Sequence, residues 1–204
     1  MTKTSTLPAD DAWRPWHPFE LGRHLQDVQE PWCIVGGWAL DLWHGRQTRD
    51  HDDIEFSILR GDVNIFRDAL SPLQFCTAGS GMVEHLPPHQ QPQPQIFQIW
   101  CLDAVERCWR ADMMLEPGDA ELWVYRRDER IRRPRRDVVA TTTDGLHYLK
   151  PEVVLLFKAK HMRAKDEADF ASALPRMETS ERIWLKQCLD LVHPGHPWAG
   201  ALSC

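Results

Sequence analysis

Residues 31–59 read PWCIVGGWALDLWHGRQTRDHDDIEFSIL, and the periodicity of the chain changes twice within them. PWCIV is a short apolar run that stops at Gly36-Gly37. Trp38 to His44 carries apolar residues at helical spacing, with Trp38 and Leu42 facing one way, and Gly45 is the residue type that closes a helix. A polar loop follows. From Asp53 to Leu59 the period becomes two: Ile54, Phe56 and Ile58 share a core face, while Asp53 and Glu55 share the other. The same alternation puts Asp52 on the core side. Two carboxylates side by side repel each other unless a cation sits between them, and a divalent metal is the simplest such cation.

Working outward, residues 1–12 are polar and read as loose. From Pro18 a first helix is expected, with Phe19, Leu21 or Gly22, Leu25 and Val28 turned inward. Asp62 to Leu73 predicts another, capped by Asp62 and stopped near Pro72. LPPHQQPQPQ at 86–95 is too rich in proline for helix or central strand, so it reads as an exposed loop. IFQIWCL and ADMML (111–115) predict strands, and ELWVYRR with IRRP predicts a hairpin. After Pro134 the character changes. Pro151 sits near a helix start; VVLLFKAKHMRAKDEADFASAL then continues as one helix to Pro175, and SERIWLKQCLDLVH makes a second. Strands mixed with helices come first and helices come last. This predicts an α/β (α+β) fold: a small mixed sheet flanked by helices over 13–138, then a helical C-terminal domain over 139–204.

The bulk properties narrow the function classes. The chain has 204 residues, 43% of them hydrophobic, and a net charge of −6, which argues against a broad nucleic-acid surface. Seven arginines fall within RRDERIRRPRR (126–136), but Asp128 and Glu129 interrupt them at a hairpin turn, which suits a solvated hairpin. The six cysteines show no CxxC spacing and several lie in apolar runs, so they read as free thiols of a reducing, cytoplasmic compartment. The histidines lack HxxxH or HxH spacing, which disfavours zinc. No stretch reaches the ~18 apolar residues of a membrane span. Ten tryptophans point to large apolar contacts within or between layers.

Three further features gather around Asp53 and Glu55. Gly36-Gly37 lies at a strand end before a helix, where bare backbone amides can approach phosphate oxygens. Arg46, Thr48 and Arg49 occupy the loop between glycines and acids. Asp112, flanked by Ala111 and Met113, projects from a later strand away from the core face and could be a third carboxylate for phosphoryl or nucleotidyl transfer.

The pattern of strand, glycine pair, short helix and D-hydrophobic-D/E resembles the nucleotidyltransferase superfamily of the DNA polymerase β type. The run GGWALDLWHGRQTRDHDDIEF resembles the antibiotic nucleotidyltransferases in particular, aminoglycoside 2''-nucleotidyltransferase and related bacterial adenylyltransferase-like proteins. The likeness continues through WRADMMLEP, WVYRRDERIRRP, LKPEVVLLFKAKHMRAKDEADF and PGHPW. It implies that 13–138 is the nucleotidyltransferase domain, that Asp53, Glu55 and Asp112 hold Mg²⁺, and that Asp112 also serves as general base. Glu55 departs from the aspartate of the aminoglycoside enzymes. The resemblance further implies that Gly36 and Gly37 hold the triphosphate of ATP or another NTP, with Trp38, Thr48 and Arg49 beside it. A helix lysine faces the nucleotide in the superfamily, and Lys158 is the first choice for it, ahead of Lys160 and Lys165. The expected activity is transfer of AMP from ATP to a hydroxyl of a small-molecule acceptor, an aminoglycoside-like antibiotic among the candidates. Two alternatives stand beside it: a toxin-type nucleotidyltransferase acting on tRNA, and a non-catalytic nucleotide-binding regulator. Oligomeric state is left open.

Overall fold

A computed structural model describes residues 7–203. In chain order the elements are α1 (Pro18–His24), β1 (Trp32–Ile34), α2 (Gly36–His44), β2 (Glu55–Leu59), α3 (Val63–Ala69), β3 (Gln74–Gly79), β4 (Met82–His85), β5 (Gln98–Asp103) and β6 (Cys108–Glu116). There follow β7 (Leu122–Val124), β8 (Arg132–Pro134), α4 (Arg135–Val138), β9 (Val139–Thr141), β10 (His147–Leu149), α5 (Pro151–Lys158), α6 (Ala164–Ala173), α7 (Thr179–Val192) and α8 (Trp198–Ala201). The α/β class and the helix-rich C-terminal stretch expected from the sequence are both present.

The chain divides into two compact units. The first comprises residues up to Trp32 and Asp50–Glu116; the second comprises Cys33–Arg49 and everything from Pro117 onward.

In the first unit the strands run in the order β4-β3-β5-β6-β2. β2 and β6 pair in parallel, with Glu55 opposite Asp112, Phe56 opposite Met113 and Ile58 opposite Leu115. The alternation read from the sequence sets this register. Ile54, Phe56 and Ile58 are fully buried, and α3 packs Phe66 against Phe56 at 6.3 Å between ring centroids. Beneath the other strands, Trp109 and Cys76 centre a cluster that Trp13 and Trp100 complete. Trp13 meets Trp100 edge-on at 5.2 Å, and Trp100 meets Trp109 at 5.1 Å. Trp109 is fully buried, and Trp13 and Trp100 are partly buried against it, so these three supply large apolar contacts within the layer.

Several details differ from expectation. Phe19 is exposed, because α1 ends after seven residues and buries only Pro18 and Leu21. Helix α3 starts at Val63 after a 3-10 turn over Arg60–Asp62, and Asp62 makes no side-chain cap. Residues 86–95 do form a loop, but a tethered one. Arg67, itself buried, donates to the carbonyls of Leu86, Pro87 and Gln90, and Arg60 donates to those of Gln93 and Ile96. These bonds satisfy backbone acceptors that the prolines leave without a regular ladder.

In the second unit β1 pairs in parallel with β10, and β10 in turn pairs antiparallel with β9. The expected hairpin is present as β7 and β8, with Trp123 opposite Arg133. Trp123 and Tyr125 each meet Phe157 of α5 edge to face, with Tyr125 and Phe157 4.8 Å apart. The single long helix expected over 153–174 is two. Helix α5 stops at Lys158, Met162 takes a positive φ of 45°, and α6 restarts at Ala164 behind a cap from Arg163 and Asp166. The short α8, which the sequence reading did not anticipate, stacks Trp198 on Phe170 at 4.3 Å.

Candidate active site

Glu55 is the first residue of β2 and sits half-buried directly opposite Asp112 in the middle of β6. Asp53 is two residues earlier, just before the strand begins, and is also half-buried. Asp52 is exposed, so the core side assigned to it by alternation is wrong: regular strand geometry has not yet started there. The ladder is nonetheless closed at this end by Asp112 N–H, which donates to Ile54 O at 2.8 Å. Neighbouring strands lie about 4.8 Å apart, so this register brings the Glu55 and Asp112 side chains together.

Asp112 is 3% exposed. Its Oδ2 accepts a 2.8 Å hydrogen bond from Gln98 Nε2, and its buried Oδ1 has no partner among the described residues. Burial, then the charge of Glu55, then that of Asp53 push the Asp112 carboxyl well above the usual carboxylate range, against the lowering effects of the Gln98 and Trp100 side chains. A buried carboxylate with one bare oxygen and two acidic neighbours is costly by itself. A divalent cation relieves both the repulsion and the missing bond, and three carboxylate donors suit a hard cation such as Mg²⁺. In this structure the side chains do not close on a common point: among the described residues no group of three or more His, Cys, Asp or Glu is disposed to hold a metal ion.

The residues expected at the nucleotide lie in the second unit. Helix α2 starts at Gly36 itself, two residues earlier than read from the sequence, and Gly36 has φ of +64°. That left-handed conformation leads directly from strand to helix and explains the glycine. Val35 supplies the N-cap position without a side-chain bond, so the first amides of α2 are not capped by it. The helix ends at Gly45, whose φ of +72° and amide bonds back to Asp41 and Leu42 carbonyls form the expected glycine cap.

Asp41 was missed by the sequence reading. It is buried in α2, and its Oδ1 accepts from Thr48 N–H at 3.0 Å and from Thr48 Oγ1, while its carbonyl takes Arg46 N–H. One carboxylate thus folds the 45–48 loop back on its helix. An aspartate inside the apolar run WALDLW was the available signal, since a buried charge demands partners.

Arg49 and Lys158 belong to one ionic cluster. Arg49 Nε and Nη2 donate to Asp169 Oδ1 and Oδ2 at 3.1 and 3.3 Å. Lys158 Nζ lies 2.9 Å from Asp169 Oδ2 and 3.1 Å from Asp166 Oδ1, and Arg163 holds the other oxygen of Asp166 at 2.8 Å. Burial alone would raise Asp166, but the bonds from Arg163 and Lys158 outweigh it and hold the carboxyl at about 2. Asp169 is lowered in the same way by Arg49 and Lys158. Asp166 and Asp169 are therefore buried partners of cations. Glu167, between them, accepts the Trp198 indole N–H at 3.0 Å.

The arginine-rich hairpin is largely committed within its own unit. Arg127 donates to Phe157 O, Arg130 pairs with Asp128, Arg133 pairs with Glu152 and lies over the Trp184 ring, and Arg135 donates to Asp119 O. Five cysteines are free and buried, as expected. No described helix is long and apolar enough to cross a membrane.

Comparison with known proteins finds similarity to one family model and to solved structures. The family model of aminoglycoside-2''-adenylyltransferases matches residues 19–80, the segment from α1 through β3 that includes the glycine pair, Asp53 and Glu55. Among curated protein sequences none matches. A crystal structure of ANT(2")-Ia in complex with adenylyl-2"-tobramycin superposes with a TM-score of 0.53 at 13% identity, covering 85% of this chain and 95% of that one. A solution structure of ANT(2'')-Ia superposes with a TM-score of 0.52 at 15% identity, covering 85% of this chain and 89% of that one. The chain thus has the fold of these nucleotidyltransferases along most of its length, and the resemblance read from its motifs stands.

Proposed function

We propose that this protein is a metal-dependent nucleotidyltransferase that moves AMP from ATP to a hydroxyl of a small acceptor. The observation that carries it is the pairing of Glu55 with Asp112 on adjacent parallel strands, with Asp112 buried and one of its oxygens open. Structural proteins have little use for a buried, repelling acid pair, whereas a cation site needs one.

Asp53, Glu55 and Asp112 would hold the metal, which supplies charge stabilisation to the α-phosphate and to the departing pyrophosphate. Asp112 accepts the proton of the acceptor hydroxyl through its open Oδ1. Burial lifts the Asp112 carboxyl most, and the neighbouring charge of Glu55 adds to it. Gly36 and Gly37 offer backbone amides to the triphosphate, with Trp38, Thr48, Arg49 and Lys158 as the further nucleotide residues. Within that set Asp41 fixes Thr48, and Asp169 fixes Arg49 and Lys158.

The acceptor is proposed to be an aminoglycoside-like antibiotic and the compartment the cytoplasm, in keeping with the free buried thiols. The test is incubation with Mg²⁺, each of the four labelled NTPs, and panels of aminoglycosides, lincosamides and tRNA. Nucleotide appearing on an aminoglycoside supports the reading; nucleotide appearing on tRNA transfers the activity to the alternative target.

A further inference from the structure

Asp112 has two oxygens in different circumstances, and a residue outside the acidic set creates the difference. Gln98 begins β5, where it pairs with Met114 of β6, two residues beyond Asp112. Residues two apart on a strand share a face, so Gln98 is the diagonal neighbour of Asp112 and its side chain is long enough to reach it. Its carboxamide donates from Nε2 to Oδ2 at 2.8 Å. A carboxamide that meets a carboxylate must present its NH₂ group, so the bond can be made in only one sense. Trp100 stands directly across from Asp112, and its indole N–H also lowers the Asp112 carboxyl, though less than Gln98 does. Among the described residues Gln98 makes the close side-chain hydrogen bond to the Asp112 carboxylate, and it makes it to Oδ2.

We infer that Gln98 is a positioning residue that ties down Oδ2 of Asp112 and so presents Oδ1 as the oxygen that meets the cation and the acceptor hydroxyl. The assignment rests on the nucleotidyl transfer proposed above. Supporting hydrogen bonds of this kind fix a ligating side chain before the cation arrives. In the absence of Gln98 the carboxylate is free to rotate about its terminal bond, and the ordering cost falls on cation binding and on the transferring step.

Gln98→Met tests this, since it keeps the length of the side chain and removes the donor. Gln98→Asn is the second variant, keeping the donor one methylene too short to reach. Mn²⁺ alone is titrated into each pure protein and free ion is read by electron paramagnetic resonance, with circular dichroism confirming the fold. Loss of the orienting bond is expected to weaken Mn²⁺ binding about tenfold or more in both variants, within the usual range of about 10–100-fold for such partners. In the transfer assay kcat falls by a similar factor while the KM for nucleotide stays within about twofold of wild type. Wild-type Mn²⁺ affinity in Gln98→Met overturns the inference whatever the transfer assay shows. A wild-type protein that binds Mn²⁺, with the variants weakened, but transfers no nucleotide removes the proposed function and leaves the role of Gln98 standing. A wild-type protein that binds no Mn²⁺ removes both.

Discussion

Asp169→Ala probes the cluster that holds two of the proposed nucleotide residues. Asp169 is 7% exposed and takes three bonds, from Arg49 Nε, Arg49 Nη2 and Lys158 Nζ, at 3.1, 3.3 and 2.9 Å. At an effective dielectric of about 20, one charge pair at this separation is worth roughly 6 kcal/mol before desolvation. Most of that is offset by taking the charges out of water, and removing one partner of such a buried pair costs about 3–5 kcal/mol. Lys158 keeps Asp166 at 3.1 Å, and the Arg49 side chain is 25% exposed and can turn to solvent. The lower end, about 3 kcal/mol, is therefore expected. For a chain of this size each kcal/mol moves the melting temperature by about 2–4 °C, so Tm should drop by about 6–12 °C. Urea unfolding of wild type, Asp169→Ala, Lys158→Met and the double variant completes a cycle. The double variant should be less destabilised than the sum of the singles, by about 1–3 kcal/mol, because it no longer leaves Lys158 half-paired. A loss below about 1 kcal/mol for Asp169→Ala, or strict additivity in the cycle, would show that water already screens the cluster.

Acid should act on the same cluster through Asp166. Its carboxyl is held at about 2, against about 3.9 when unfolded, so its contribution is present above pH 4 and disappears as pH falls through 2. Asp166→Asn should flatten stability against pH across that window, by about 2 kcal/mol, and an unchanged slope would refute the pairing. Asp41→Ala removes the acceptor for both donors of Thr48, and the exchange protection of the Thr48 amide should fall about tenfold or more. Unchanged protection at Thr48 would mean that something other than Asp41 orders the loop.

Legibility from the sequence followed the strength of local patterning. Ile54, Phe56 and Ile58 alternate cleanly, and β2 runs as they dictate, with Glu55 on the face opposite the core residues. The same rule failed for Asp52 because alternation holds only where a strand exists, and the strand begins at Glu55. Gly45 was readable because a left-handed helix cap selects glycine. The break between α5 and α6 was not, since KAKHMRAK contains neither proline nor glycine and would continue a helix by propensity alone. What interrupts it is the tertiary arrangement of Lys158, Arg163 and Asp166, which form their bonds only when the chain turns there. Asp53, Glu55 and Asp112 could be chosen one by one from residue type and strand face. Gln98 and Asp41 could not, because their importance lies in which partners they reach across the fold.

Quantified pyrophosphate release, with Mg²⁺, ATP and an aminoglycoside acceptor, bears most directly on the central claim, that Glu55 and Asp112 form the reacting acid pair. Glu55→Gln and Asp112→Asn keep the shape of each side chain and remove its charge. Transfer should fall at least about a hundredfold in each, with the fold retained by circular dichroism. Wild-type pyrophosphate release from Asp112→Asn would contradict the account.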